Sequence, residues 1–389
     1  MQPDRAYLDH AATTTLLPEA VDAWAQAASR VGNPSSLHSA GRAARRLVEE
    51  SREAIADDLH VRPSEVIFTS GGTEADNLAV KGLVWAQPDR GRILCSAIEH
   101  HAVLDPVSWL GDQGCKVDWL TVDEFGRVDP ETVRARLSDD VALCTVMWAN
   151  NEVGTVQPIA EIARACEEAG VPFHTDAVQA LGQLRVDGSL PGITSLALSG
   201  HKIGAPVGTG ALVLRRDARI VPVTHGGGQE RDVRSGTFDA PGIAALAVAV
   251  RHAVDHQALH AEEISALRDE LISAILQVAP TAVVNGHVSE RLPGNVHVSF
   301  PGCEGDTLLM LLDAAGVECS TGSACTAGVP EPSHVLEAMG VAPAVARGSL
   351  RFSLGRTSTQ ADIDCVVEVL PGVLDRASRA SSPRVRRTR

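Results

Sequence analysis

Between residues 60 and 215, short β-rich apolar runs alternate with amphipathic stretches of helical period. That alternation is the strongest constraint on what this 389-residue chain can fold into. The strand-like runs are 66–69, 93–96, 117–122, 142–148, 171–174, 195–198 and 211–214, and helical patterns at 73–84, 103–113 and 159–169 separate several of them. Such alternation predicts an α/β fold with a mainly parallel seven-stranded sheet under helices. It places ligand groups where strands end and loops begin.

Beyond the alternation the pattern changes. An Ala-rich helical stretch covers 243–278. A strand at 296–300, a helix at 307–315, a strand at 350–354 and a final helix then read as a smaller α+β domain. The length alone predicts two or three domains at roughly 150 residues each. No internal repeat of 20–50 residues is present.

Composition narrows the function classes. Apolar residues make up 44% of the chain, enough for sizeable cores. The formal net charge of −15 argues against a protein that coats nucleic acid or an anionic membrane, and 3% aromatics argues against a base-stacking platform. No apolar run approaches the roughly 18 residues of a spanning helix, and the first ten residues lack the apolar core of a signal peptide, so a cytoplasmic location is expected. The last residues, 376–389, carry six arginines and read as a solvated basic tail; without 377–389 the balance is 29 basic against 49 acidic residues.

Eight cysteines occur without a C-x-x-C pair, so the common zinc and thioredoxin spacings are missing. Seven read as small core residues, with Cys319 buried at a strand end. Cys325 differs. It lies in Thr321-Gly322-Ser323-Ala324-Cys325-Thr326, a small-residue loop that offers a thiol no core to fill and suits a nucleophile.

Three strand ends carry further chemistry. Ser199-Gly200-His201-Lys202 follows an apolar strand; Lys202 there is either a surface lysine or an amine nucleophile. His174-Thr175-Asp176 ends another, and a buried Asp176 needs a cation, such as a pyridinium nitrogen, unless it caps a helix. Ser70-Gly71-Gly72-Thr73-Glu74 joins a strand to a helix start, where backbone N–H groups and hydroxyls suit a phosphate. It lacks the Lys-Ser/Thr ending of a P-loop, and no G-x-G-x-x-G follows the first strand. A second Gly-rich loop, 225–237, reads as flexible or as a further phosphate contact.

Together these pieces resemble the cysteine desulfurases, pyridoxal-phosphate enzymes of the class V aminotransferase family, in their NifS/IscS-like branch. The resembling motifs run in family order over about 5–360. They include Tyr7-Leu8-Asp9-His10-Ala11-Ala12, Gly32-Asn33-Pro34-Ser35, the Ser70–Glu74 loop, Glu99-His100 and Asn150-Asn151-Glu152. His174-Thr175-Asp176-Ala177-Val178-Gln179, Ser199-Gly200-His201-Lys202, Arg234-Ser235-Gly236-Thr237, the Cys325 loop and Arg351-Phe352-Ser353 complete the set.

The resemblance implies a fold-type I, aspartate-aminotransferase-like transferase. Its large cofactor domain would span 15–255, its small domain 1–14 with 256–376, and a basic disordered tail 377–389. It implies pyridoxal 5'-phosphate held covalently by Lys202, which then shuttles protons. Asp176 would pair with the ring nitrogen, Gln179 and Asn151 would contact its phenolic-oxygen side, and His100 would lie over the ring face. Gly72, Thr73, Ser199 and His201 would bind the phosphate, and Thr237 would reach the phosphate of a neighbouring subunit in a homodimer. Asn33 and Arg351 would hold the substrate carboxylate, and Cys325 would take sulfur from L-cysteine as a persulfide, releasing alanine. An iron–sulfur scaffold or a tRNA-thiolation enzyme is the implied sulfur acceptor, with no metal ligand set, membrane or direct nucleic-acid contact. The chain departs from relatives at Val207, where a lysine is common.

Rival readings are a relative cleaving selenocysteine or cystine and a sulfur-relay platform. Retention of Lys202, Asp176 and Cys325 favours catalysis. His252, His256 and His260 repeat at i, i+4 and i+8 and read as a solvated helical face rather than a metal site.

Overall fold

The computed structural model describes residues 5–321 and 333–381. The chain opens with a two-residue strand β1 (Ala6–Tyr7) and two helices, α1 (Pro18–Ala28) and α2 (Ser39–Asp58). The alternating region follows: β2 (Val66–Thr69), α3 (Gly72–Trp85), β3 (Arg92–Ser96), α4 (His101–Asp112), β4 (Lys116–Leu120), α5 (Pro130–Arg136) and β5 (Val141–Thr145). It continues through α6 (Ile159–Glu168), β6 (Phe173–Asp176), β7 (Ser195–Ser199) and β8 (Gly210–Leu214). Helices α7 (Ala240–Asp255) and α8 (Gln257–Val278) lead to β9 (Val283–Val284), β10 (Asn295–Ser299), α9 (Gly305–Ala314) and β11 (Val317–Glu318). The last elements are α10 (His334–Ala338), α11 (Pro343–Ala346), β12 (Ser349–Ser353) and α12 (Gln360–Ser381).

The seven expected strands form one sheet in the order β2-β8-β7-β6-β5-β3-β4. Only β8 runs against its neighbours, β2 and β7. The C-terminal ends of β2, β6 and β7 therefore open on the same edge, and β8 begins there. Every residue of β2, β5, β6, β7 and β8 is buried, the pattern of strands covered on both faces. Strand β4 closes the far edge with Lys116 exposed, a charge that blunts further pairing.

A second core fills the small domain. The antiparallel sheet β12-β10-β9 and the parallel pair β1-β11 pack against α8, α9 and α12. Leu271, Val298, Leu308, Phe352 and Val366 are fully buried, and Ala6 and Leu8 from the start of the chain join them. Each fully buried aliphatic side chain contributes about 1.5–3 kcal/mol.

Two expectations change. The stretch 243–278 is two helices meeting at His256, not one. The disordered tail expected from residue 377 is helical over 377–381, because α12 runs to Ser381. Ile363, Val366, Leu370, Val373 and Ala377 fall at alternating spacings of three and four, so Ala377 is the next step of one buried stripe and is itself fully buried. Residues 382–389 lie outside the described residues. Helices α1 and α2, which the sequence reading did not assign, pack on α7. Among the described residues no helix is long and apolar enough to cross a membrane.

Candidate functional site

The strand ends at the open edge of the sheet enclose a cavity of about 510 Å³. Ten of the residues singled out above line it: Gly72, Thr73, His100, Asn151, Asp176, Gln179, Ser199, His201, Lys202 and Arg351. They come from α3, the start of α4, the β5–β6 connection, the ends of β6 and β7, and β12. Asn33 and Thr237 are exposed and do not line this cavity. Cys325 lies outside the described residues; Ser320, just before its loop, and His334, just after, both line the cavity.

The phosphate-like cradle is built from backbone. Gly71 has φ +148°, and a Cβ added at Gly72 would come within 2.8 Å of Val178 Cγ2. A side chain at Gly210 would meet the Gly71 backbone at 2.6 Å, so the β8 start and the cradle can close only as glycine on glycine. No side chain caps the first turn of α3 among the described residues. Ser199 Cβ lies 3.5 Å from that same hypothetical Cβ at Gly72, which places its hydroxyl beside the helix start. Glu74 folds back to accept from Ser70 N at 2.6 Å, and Arg234 from the second Gly-rich loop donates to Glu74 at 2.8 and 3.3 Å. That loop is tied down by Ser235 and Gln229 and by the buried pair of Glu230 with Arg52.

Lys202 follows the end of β7. Its Nζ donates to the carbonyls of Ala11 and Ala12 at 2.5 and 2.7 Å. Gln179 Nε2 donates to Ala11 O as well, at 2.9 Å. Burial, then the Arg351 charge, lowers the lysine from 10.5 to about 8, although Asp9 and Asp176 oppose the shift. Asp176 is buried and accepts from Val178 N; burial, reinforced by the nearby Asp76, raises it to about 8. Such a carboxyl becomes a good anion only when a cation is placed against it. Behind it His174 bridges Asp76 Oδ1 at 3.1 Å and Ser195 Oγ at 2.9 Å, and burial pushes that imidazole down to about 4.

His100 caps α4 with its own ring, Nδ1 accepting from Ala102 N at 3.1 Å. The neutral ring therefore carries its hydrogen on Nε2. Desolvation by the surrounding protein, with the Lys202 charge beside it, lowers the imidazole to about 4. His201 is lowered to about 4 for the same two reasons. Arg351 is buried on β12, with Nη1 donating to Asn151 O at 2.8 Å and Nη2 to Asp9 Oδ1 at 2.9 Å.

Residues 6–366 match the aminotransferase class-V family. An IscS-like cysteine desulfurase of Mycobacterium tuberculosis is 55% identical over 384 residues, covering 97% of this chain and 98% of its own length. The cysteine desulfurase IscS of Methanosarcina thermophila is 44% identical over 96% of this chain and 93% of its own. The solved structure of a NifS-like protein superposes with a TM-score of 0.89 at 33% identity, covering 96% of this chain and all of that one.

The chain belongs to the class-V aminotransferases, in their NifS/IscS-like cysteine desulfurase branch.

The cofactor of this family is pyridoxal 5'-phosphate, and the cavity fits it. A glycine cradle at a helix start, a depressed lysine and a buried carboxyl short of a cation are complementary to its phosphate, aldehyde and ring nitrogen. In the class-V chain the sequence motifs account for most of the cavity wall, but not for the Ala11 and Ala12 carbonyls that hold Lys202. Those act through backbone and leave no side-chain signal. Asp76 and Asp9 were also missed as site residues; Asp9 stands inside a quoted motif and Asp76 two residues after one, and their partners are remote in sequence. Val207 also lines the cavity, with four-fifths of its surface exposed.

Proposed function

We propose that this chain removes sulfur from L-cysteine at the Lys202 cavity, releases alanine and carries the sulfur as a persulfide on Cys325. The observation that carries this reading is the convergence of Lys202, Asp176 and Arg351 on one cavity, with both ends of the Cys325 loop at its rim.

Each residue has a part. Gly72, Thr73, Ser199 and His201 would hold the phosphate, and Asp176 would keep the ring nitrogen protonated. When bound, the cofactor supplies an electron sink for bonds broken at the substrate's Cα and Cβ. Arg351 orients the substrate carboxylate through its guanidinium fork. Lys202, with a proton affinity near neutrality, takes and returns the proton at Cα. His100 carries its hydrogen on Nε2 in the same cavity and would serve proton exchange at the substrate. The Cys325 thiolate attacks the substrate sulfur: an S–S bond forms, the Cβ–S bond breaks, its electron pair stays with carbon and a proton completes alanine.

Asn33 and Thr237 stand outside the chain's own cavity, and Val31 and Leu37 beside Asn33 are almost fully exposed. These features support a homodimer in which Thr237 reaches the neighbour's phosphate. The persulfide then passes to an iron–sulfur scaffold or a tRNA-thiolation enzyme in the cytoplasm.

Mass spectrometry of the holoenzyme after addition of cysteine tests the reading. A sulfur adduct on the Cys325 peptide, absent in Cys325→Ser, is expected. Alanine production with the adduct on another cysteine would move the nucleophile. Parallel turnover with selenocysteine and cystine separates the rival substrates.

A further inference from the structure

On the other side of Lys202 and Gln179, a second cavity of about 80 Å³ sits on the seam between the two domains. Four parts of the chain build it: His10 and Thr14 from the N-terminal segment, Gln183 and His252 from the large domain, His260 on α8, and Arg356 after β12. In a chain with 49 acidic residues against 34 basic ones, no acidic residue stands among the described residues lining it. Glu19 and Asp362, the carboxylates that act on Arg356 and His10 through space, are not among the lining residues.

The polar atoms here are donors in waiting. His10 is more than nine-tenths buried, its ring packed on Gly355 so closely that a Cβ there would fall 2.4 Å from Nδ1. Nδ1 pairs with Thr14 Oγ1 at 2.7 Å; with that hydroxyl donating, the ring hydrogen sits on Nε2, which has no hydrogen-bond partner among the described residues. Arg356 spends Nη2 on the carbonyls of Thr15 and Leu16, while its buried Nε likewise has none. His252 and His260 face the same space with ring centroids 5.8 Å apart. A buried donor without an acceptor is costly, so two of them in one cavity whose described lining holds no acid are the complement of an anion.

We propose that this seam cavity is a binding site for a small inorganic oxyanion, held by His10 Nε2 and Arg356 Nε and flanked by His252 and His260. One water needs on the order of 10–15 Å³ of such volume, so the cavity admits a tetrahedral oxyanion such as sulfate. The ion would tie the N-terminal segment, α8 and the residues after β12 together. It is distinct from the phosphate cradle, which lies across Lys202.

The test uses the full-length protein loaded with cofactor, so that the cradle is filled, and sodium sulfate as the probe. At constant ionic strength, replacing chloride with sulfate should raise the unfolding midpoint along a saturable curve, by roughly 2 °C at tenfold excess over half-saturation. His10→Leu should weaken half-saturation at least tenfold. If that variant does not fold, His260→Glu, which puts a carboxylate on a half-buried wall, should do the same. A linear rise shared by wild type and both variants would be general salting and would overturn the site. Crystals of the holoenzyme soaked in selenate should show an anomalous peak between His10 and Arg356; peaks only elsewhere, or none, would overturn it too.

Discussion

Asp9 Oδ1 accepts a hydrogen bond from Arg351 Nη2 at 2.9 Å, so the guanidinium assigned to the substrate carboxylate is already gripped by a carboxylate of the chain itself. Asp9 steers the fork, and its charge also stands where an incoming carboxylate is repelled. Asp9→Asn keeps an acceptor for Nη2 and removes the charge. The expected outcome in steady-state kinetics is a KM for cysteine lowered about 3- to 10-fold with kcat little changed. A raised KM would show that the charge, not the acceptor, positions Arg351.

Lys202 must be neutral to capture the cofactor. Its pKa near 8, against 10.5 in the unfolded chain, means that the folded protein releases this proton first. The rate of cofactor capture by apoprotein, followed by absorbance, should rise with pH through a midpoint near 8. Stability from this residue should likewise increase between pH 8 and 10.5, where only the unfolded state still binds the proton. A capture midpoint near 10 would contradict the burial argument.

Arg234 cancels the charge of Glu74 at the lip of the phosphate cradle. Arg234→Ala leaves that carboxylate facing the phosphate, and equilibrium dialysis should show cofactor affinity weakened about 10-fold. Adding Glu74→Gln should recover most of the loss. Equal weakening in single and double variants would assign Arg234 a different task.

His297 lies opposite Arg351 in the β10–β12 register, buried, with Nδ1 against Asn285 Nδ2 at 3.0 Å. Burial first, then the charges of Arg351 and Arg291, pushes it down to about 3. Between that value and 6.5 the unfolded chain binds a proton that the native state does not, so native stability falls as pH falls through this window. Denaturant titrations of His297→Gln should show a shallower acid loss than wild type, by on the order of 3 kcal/mol at pH 4. Parallel slopes would mean that His297 is not held neutral.

Strands β2, β5, β7 and β8 were legible because each is a short, densely apolar run bounded by turns, and burial on both faces leaves no other use for such runs. Helix α2 was not, since its Arg- and Glu-rich sequence hides a thin stripe of Val48, Ile55 and Ala56. The junction at His256 was missed for the opposite reason: no Gly or Pro marks the turn. At the site, side chains belonging to motifs could be read one by one. Pairings across distance could not, because the reach from Asp76 to His174 or from Asp9 to Arg351 is set by the sheet and the domain seam.

The carbonyls that hold Lys202 belong to residues 11 and 12, and the strand just before them is anchored on Val317 and Glu318, with Asp9 and His10 meeting Ser353. During synthesis the ribosome therefore makes the lysine's restraint first and its anchorage last. A nascent chain of 300 residues already contains the residues of the glycine cradle and of the whole seven-stranded sheet, but not the β11 and β12 partners of the segment that holds its lysine. The segment at residues 6–10 gains its partners on β11 and β12 only once residue 353 has been made.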